Sequence, residues 1–305
     1  VGEDDIQNIP ASTLYVSLEP CAHYGKTPPC ADLIIRSQIP KVVIGCRDPF
    51  KEVNGKGMEK LAKGGIEVVN GVLENECRQM NKRFFTYHIA RRPYIILKWA
   101  ETTDHKISSS LNGNHPHGRL FISNEYSNRL VHKWRSEEMS ILVGTNTLLV
   151  DNPQLTTRLW QGNNPIRLII DKELRLPGDL KVFNNSTPTI VFNLLKHSLP
   201  GEKGAALNLI PGKTEFYQLA EDSSIVQQIV NGLWQLGIQS VLIEGGAFLL
   251  QSFIDEGLWD EARVITNEEL SIGEGLPAPV LKQHTLERKE NILSDSIKYY
   301  KNKSK

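Results

Sequence analysis

The sequence predicts two α/β domains in tandem, each built on a largely parallel sheet. Strand-like and helix-like segments alternate at short intervals from residue 14 to about 94, the pattern of a parallel sheet with crossover helices. The tripeptide Arg91-Arg92-Pro93 breaks a helical run, which bounds a first domain at 1–90 and a second at 93–305. Beyond it the alternation resumes and runs to about residue 254. At 305 residues the chain is long enough to bury two cores.

In the first domain, β-branched and aromatic runs predict strands at 14–18, 41–46 and 66–70. Helices are expected at 31–37, 57–63 and 74–89, the last from Met80, Phe84, Phe85 and His88 at helical spacing. The second domain opens with a strand at 94–100 and a Gly/Asn/His-rich loop at 112–118, then a helix at 124–135. Further strands are expected at 140–143, 166–170, 189–192 and 241–244, with helices at 224–236 and 247–254. The lysine-rich tail 301–305 reads as solvated or frayed.

Composition excludes several classes of function. The chain carries 35 basic and 35 acidic residues, a formal net charge of zero, which argues against a general nucleic-acid or membrane-surface binder. No apolar run approaches the length of a membrane span. Four cysteines in this length do not make a disulfide scaffold, so a soluble protein of the reducing cytoplasm is expected.

The most informative stretch is residues 15–30, which place Cys21 on a turn after a strand and Cys30 ahead of a helical run. A thiol at a helix start is expected to ionise readily and to hold a soft metal. A catalytic zinc takes three protein ligands and one open position, and only two are visible here. His23 is a possible ligand but reads better as a polar pocket residue, and Cys46 and Cys77 read as structural thiols. Glu19 invites a proton-shuttling role, yet it sits on the same turn as a ligand.

In the second domain, Lys98 interrupts an otherwise apolar strand, a costly placement unless it faces a wet cavity. Gly245-Gly246 joins a strand to a helix, where exposed backbone N–H groups suit an anionic cofactor; close strand–helix packing is the alternative. No Gly-x-Gly-x-x-Gly motif occurs in this half.

Taken together, these segments resemble the bifunctional deaminase/reductase family of riboflavin biosynthesis. The resemblance rests on Glu19-Pro20-Cys21-Ala22-His23 through Thr27-Pro28-Pro29-Cys30, Asp48-Pro49-Phe50 and Asn54-Gly55-Lys56-Gly57. It continues in Lys98-Trp99-Ala100 through Asp104, Val143-Gly144 through Thr147, Asp151-Asn152-Pro153, Arg158 and Glu244-Gly245-Gly246. It implies a truncated cytidine-deaminase-like α/β/α sandwich followed by a dihydrofolate-reductase-like α/β domain. The implied reactions are hydrolytic deamination of 2,5-diamino-6-ribosylamino-4-pyrimidinone 5′-phosphate and NADPH-dependent reduction of the ribosyl side chain to ribityl.

The resemblance further assigns zinc ligands to Cys21 and Cys30, and substrate contacts to Lys98, Arg135, Leu155, Arg158 and Glu244. Cofactor contacts fall to Ala100, Phe121, Thr147, Asp151, Gly245 and Gly246, although Asp151 could equally cap a turn and Arg135 a helix end. The family's His-x-Glu motif, which supplies the third ligand and the proton shuttle, has no counterpart before Leu14, and its spacing would place it just ahead of Val1. The expectation is that it lies outside this sequence; a natural loss of deaminase activity is the alternative. The partners implied are a pyrimidine ribosyl phosphate and further copies of the chain, as a dimer or higher oligomer, with no nucleic acid and no membrane. Three departures from the family pattern are His105 where glycine is usual, Phe121 where tryptophan is common, and an atypical stretch at 266–280.

Overall fold

The computed structural model describes residues 3–25, 27–50, 54–109, 120–199 and 212–304. Two compact units are present, residues 1–91 and 92–305. The loop at 112–118 lies outside the described residues.

In the first unit a 3-10 helix at Glu3–Ala11 leads into β1 (Thr13–Leu18), α1 (Cys30–Arg36), β2 (Lys41–Cys46), α2 (Lys56–Lys63), β3 (Glu67–Asn70), α3 (Glu74–Met80) and α4 (Lys82–Ala90). The three strands form a parallel sheet in the order β1-β2-β3. The middle strand β2 is buried along nearly its whole length, which explains its unbroken apolar run. Ala31 and Ile34 of α1, Val42 and Ile44 of β2, and Leu61 of α2 form the core.

The single helix expected at 74–89 is two helices. Asn81 breaks it: its side-chain amide donates to the Cys77 carbonyl at 2.8 Å and to Ser17 Oγ at 3.3 Å, competing with the helical backbone. Gly45 allows α3 to approach β2, because a Cβ there would lie 2.1 Å from Cys77 Sγ. Cys46 donates to the Ser17 carbonyl at 3.1 Å. Both thiols have packing roles, and no disulfide forms among the described cysteines.

The second unit runs β4 (Tyr94–Thr102), β5 (Lys106–Ser108), α5 (Glu125–Glu137), β6 (Ser140–Gly144), α6 (Thr145–Asp151), β7 (Ile166–Ile170), β8 (Thr189–Asn193), β9 (Thr214–Gln218), α7 (Ile225–Gln235), β10 (Ser240–Glu244) and α8 (Ala247–Asp255). It closes with β11 (Glu261–Asn267), β12 (Leu276–Pro277), β13 (His284–Ile292) and β14 (Asp295–Asn302). Nine strands make one sheet in the order β13-β14-β11-β4-β10-β6-β7-β8-β9. The sheet is parallel from β11 through β9, with β14 and β13 added antiparallel at one edge. The tail expected to fray is ordered as far as Asn302, which completes β14 and whose side-chain amide donates to the Trp259 carbonyl at 2.9 Å.

Strand alternation sorts β4 between two cores. Ile95, Leu97 and Trp99 face one cluster with Ile243, Leu250 and Phe253; Tyr94 and Ile96 face another with Leu242 and Trp134 of α5. Lys98, two residues beyond Ile96, therefore belongs to the face covered by α5. So does Glu244, two residues beyond Leu242. Helix α5 is fixed in place by Asn124, whose side-chain oxygen accepts from the N–H groups of Tyr126 and Ser127 at 3.0 Å each.

A buried ion pair ties the start of this unit to β11. Arg92 donates to both carboxylate oxygens of Asp260 at 2.6 Å each, and the Ile95 N–H donates to the same carboxylate at 2.8 Å. Replacing Asp260 with Ala would leave a buried guanidinium uncompensated. The expected loss is roughly 3–5 kcal/mol in the second unit, read from urea unfolding.

Candidate functional site

At the end of β1 the chain turns through Glu19 and Pro20 to Cys21. The Cys30 N–H, at the start of α1, lies 3.3 Å from Cys21 Sγ, and the Ala31 N–H donates to the Cys21 carbonyl at 3.1 Å. The turn thus places the two thiols side by side. Cys30 was expected to ionise readily, but its pKa is raised: first by burial, then by the hydrogen bond its own thiol donates to the neighbouring Cys21 sulfur and by the charge of that sulfur. The backbone hydrogen bond at the helix start lowers it by less. Two adjacent thiols resist ionising together, and a cation bound between them would reverse this.

The pair is a soft donor set that suits two of the four positions of a tetrahedral zinc. Among the described residues, no group of three His, Cys, Asp or Glu side chains is placed to hold a metal ion, so His23 does not complete the set.

Glu19 is committed elsewhere. One carboxylate oxygen accepts from the N–H groups of Asp48 (3.3 Å) and Gly55 (3.0 Å), the other from Gly57 (3.0 Å) and Met58 (3.3 Å). Gly57 has no room for a side chain, since a Cβ would sit 1.9 Å from the Pro20 carbonyl oxygen. Glu19 therefore ties the backbone after β2 to the first turn of α2. Beside the thiols lies an open cavity of about 630 Å³, whose lining includes Glu19, His23, Asp48, Phe50, Phe84 and His88. Burial raises the Asp48 carboxyl and lowers the His88 imidazole, each opposed by the other's charge.

In the second unit, Lys98, Arg135 and Glu244 come together. Lys98 and Glu244 are paired in register between β4 and β10. Arg135 Nε and Nη2 donate to the two oxygens of Glu244 at 2.7 and 2.8 Å, and Nη1 donates to the Thr156 carbonyl at 3.1 Å. Lys98 Nζ is 3.9 Å from Glu244. Burial alone would raise the Glu244 carboxyl; Arg135, then Lys98 and His132, hold it down to about 2. Arg135 thus acts first on Glu244, fixing its orientation.

The sequence reading missed His132, one turn before Arg135 on α5 and 1% exposed. Its pKa falls to about 4, through burial first and then the charges of Arg135 and Arg158, with Glu244 and a hydrogen bond to the Thr156 backbone opposing. The only available signal was its three-residue spacing from Arg135.

Gly245 and Gly246 adopt φ of 84° and 69°, conformations that favour glycine. Thr147 packs on this turn, since a Cβ on Gly245 would lie 3.0 Å from its methyl carbon. The helix α8 that follows has no side-chain cap, so its first N–H groups are left for another acceptor. Ala100 lies on β4 two residues beyond Lys98, and Asp151 ends α6. Leu155 has φ of 56° and is buried in a cluster with Ile141, Val143 and Leu148. Any ligand contact there would be made by its backbone. Phe121 is 76% exposed.

The departures at 105 and 266–280 have a structural account. His105 takes φ of 56°, a left-handed conformation in which glycine is cheaper, and its Nδ1 pairs with Glu101 Oε1 at 2.9 Å. Asp104 accepts from Thr102 Oγ1 at 2.5 Å and from the Gly273 N–H at 2.8 Å, which anchors the unusual stretch. Gly275 lets β12 reach β5, because a Cβ there would meet the Ser108 carbonyl oxygen at 2.3 Å.

A buried charged cluster on adjacent parallel strands, beside a Gly-Gly turn that opens a helix, defines an open-sheet α/β protein with a ligand site near the strand ends. Residues 93–275 match the model of the RibD C-terminal domain. A riboflavin biosynthesis protein RibD of Aquifex aeolicus is 39% identical over 95% of this chain and 80% of its own length. A crystal structure of a diaminohydroxyphosphoribosylaminopyrimidine deaminase/5-amino-6-(5-phosphoribosylamino)uracil reductase from Thermotoga maritima is 36% identical, covers 95% of this chain and 79% of its own, and gives a TM-score of 0.78. Acinetobacter baumannii RibD is 28% identical, covers 95% and 80%, and gives 0.80. The chain belongs to the RibD family of riboflavin biosynthesis proteins, and its second unit is a RibD reductase domain of the dihydrofolate-reductase-like type.

The charge states fix a pH dependence. His132 binds its proton in the unfolded chain near pH 6.5 but in the folded one only near 4, so stability is complete above 6.5 and falls as pH drops to 4, by on the order of 3 kcal/mol. Glu244, held down to about 2, adds a second loss from about pH 4.5 downwards. Urea titrations across pH should show both phases in the native protein, and the upper one should vanish in His132→Gln.

Proposed function

We propose that the second unit reduces the ribosyl side chain of a pyrimidine ribosyl phosphate to ribityl with NADPH. The observation that carries this is the buried Lys98–Glu244–Arg135 cluster beside the Gly245-Gly246 turn, within a RibD reductase domain. The uncapped start of α8 and the glycines that keep side chains off the turn fit a pyrophosphate. NADPH, when bound, supplies the hydride for the sugar carbon. Lys98 offers a positive charge near the carbon that accepts it, and a proton from Lys98 or water completes the reduced product. Glu244, oriented by Arg135, accepts hydrogen bonds from sugar hydroxyls, and Arg158 faces the 5′-phosphate. Ala100, Thr147, Asp151 and Phe121 border the cofactor in this reading.

The first unit we take to be a cytidine-deaminase-like unit acting on 2,5-diamino-6-ribosylamino-4-pyrimidinone 5′-phosphate. Cys21 and Cys30 would hold a zinc, whose chemistry is to activate water for attack on the ring. The aromatic and imidazole lining of the neighbouring cavity suits a planar heterocycle. Glu19 has no proton-shuttling part in this, because both its oxygens are occupied by backbone N–H groups. A reductase whose first unit is structural is the second reading, in which Cys21 and Cys30 pack beside each other without a metal. We also take the protein to self-associate as a dimer or higher oligomer, which sedimentation equilibrium would test.

Purified protein given the deaminated substrate should oxidise NADPH, and no oxidation would remove the reductase reading. Arg158→Ala should raise KM for that substrate by roughly tenfold or more with a smaller change in kcat. Zinc content and ammonia release from the diaminopyrimidinone decide the first unit: zinc with release supports the deaminase, and neither supports a reductase alone.

A further inference from the structure

Helix α5 carries His132 and Arg135 one turn apart, on the same face. Both reach the Thr156 backbone: Arg135 Nη1 donates to its carbonyl at 3.1 Å, and His132 hydrogen-bonds there too. His132 Nδ1 is buried without a partner, which leaves Nε2 as the donor. The backbone so held is conformationally expensive. Asn152 and Leu155 take φ of 39° and 56°, and the Leu155 side chain is locked into the core. Arg158 follows two residues after the anchored carbonyl.

Resting on the reductive reading above, we infer that His132 is a positioning residue for sugar-phosphate binding. Its neutral imidazole fixes the backbone from Leu155 to Arg158 through the Thr156 carbonyl. Two donors from one helix turn fix that carbonyl in position and direction, whereas one would let it swing. Arg158 is then set before the ligand arrives, and less ordering is left to be done on binding. The residue type follows from the surroundings. Lys98 and Arg135 already share the Glu244 carboxylate, and the charges of Arg135 and Arg158 bear on His132 itself, so a lysine at 132 would add a buried cation beside others. An aliphatic side chain would leave the carbonyl with Arg135 alone.

The test compares His132→Leu, His132→Asn and His132→Gln with the native protein. Gln can place an amide N–H where Nε2 lies; Asn is too short and Leu donates nothing. The readouts are KM and kcat for NADPH-dependent reduction, calorimetric affinity for ribose 5-phosphate, and thermal unfolding. Leu and Asn should raise KM and weaken ribose 5-phosphate by roughly tenfold, the effect of one lost hydrogen bond to a positioned group, with kcat within a few-fold. Gln should restore both to within about threefold. Unchanged affinity in Leu and Asn, or equal loss in all three variants, would overturn the inference. Should the native protein bind ribose 5-phosphate without oxidising NADPH, the reductive reading falls while the affinity series still decides His132. Binding of neither ligand would remove both.

Discussion

The second unit is organised around one carboxylate that must stay ionised where water is scarce. Glu244 ends a strand buried along its whole length, and an unpaired charge there would cost several kcal/mol. Arg135 offsets this with two hydrogen bonds and a third to the Thr156 carbonyl. The requirement propagates outward. Arg135 must arrive at a fixed angle, so α5 must be fixed, and Asn124 caps it while its side-chain amide donates to the Ile292 carbonyl at 2.7 Å. The antiparallel edge made by β13 and β14 is thereby tied to the site. A buried ion pair of this kind adds little net stability against apolar residues of equal size. Its retention fits a need for a charged, oriented acceptor.

Much of this was legible in the sequence, for physical reasons that differ from residue to residue. Lys98 stood out because a lysine within Ile-Ile-Leu-Lys-Trp has to be accommodated somewhere wet, and period-2 geometry then assigned its face. Gly245-Gly246 was legible because only glycine is at ease with two successive positive φ values. His132 was not, because a histidine on an amphipathic helix looks the same whether it faces solvent or a guanidinium pair. The β13–β14 edge was missed because β13 is largely exposed and highly charged, so no hydrophobic alternation announces it. The break at Asn81 was hidden for the opposite reason. The apolar spacing continues through it, and only a side-chain contact with Ser17, 64 residues earlier, reveals why the helix stops.

Glu19 shows how a short motif can mislead in isolation. A carboxylate two residues before a thiolate reads as a catalyst, yet here it gathers four backbone N–H groups, from Asp48 and Gly55 and from the first turn of α2. Those groups would otherwise be buried donors without acceptors. The glycines of Asn54-Gly55-Lys56-Gly57 belong to the same device: Gly57 admits the Pro20 carbonyl, and Gly55 turns at φ of 87°. The motif around Cys21 and the later glycine motif are two halves of one structural joint. That joint sets the turn on which Cys21 meets Cys30.

Overall neutrality and local charge answer different questions. A net charge of zero makes long-range attraction to polyanions weak, but it says nothing about the interior of a site. Around Glu244 two cations, Lys98 and Arg135, share one carboxylate, and His132, pushed down to about 4 by burial and by the charges of Arg135 and Arg158, stays neutral. These charges are largely desolvated and set at the ends of paired strands. That is the environment in which a sugar phosphate gains most from its charge, since little reorganisation is needed and the field is weakly screened. Lowering the pH would protonate His132 before Glu244, adding a further cation while the carboxylate still stands. Such a site would then be destabilised by mutual repulsion well before its central ion pair is lost, so its acid limit is set by the histidine and not by the carboxylate that holds it together.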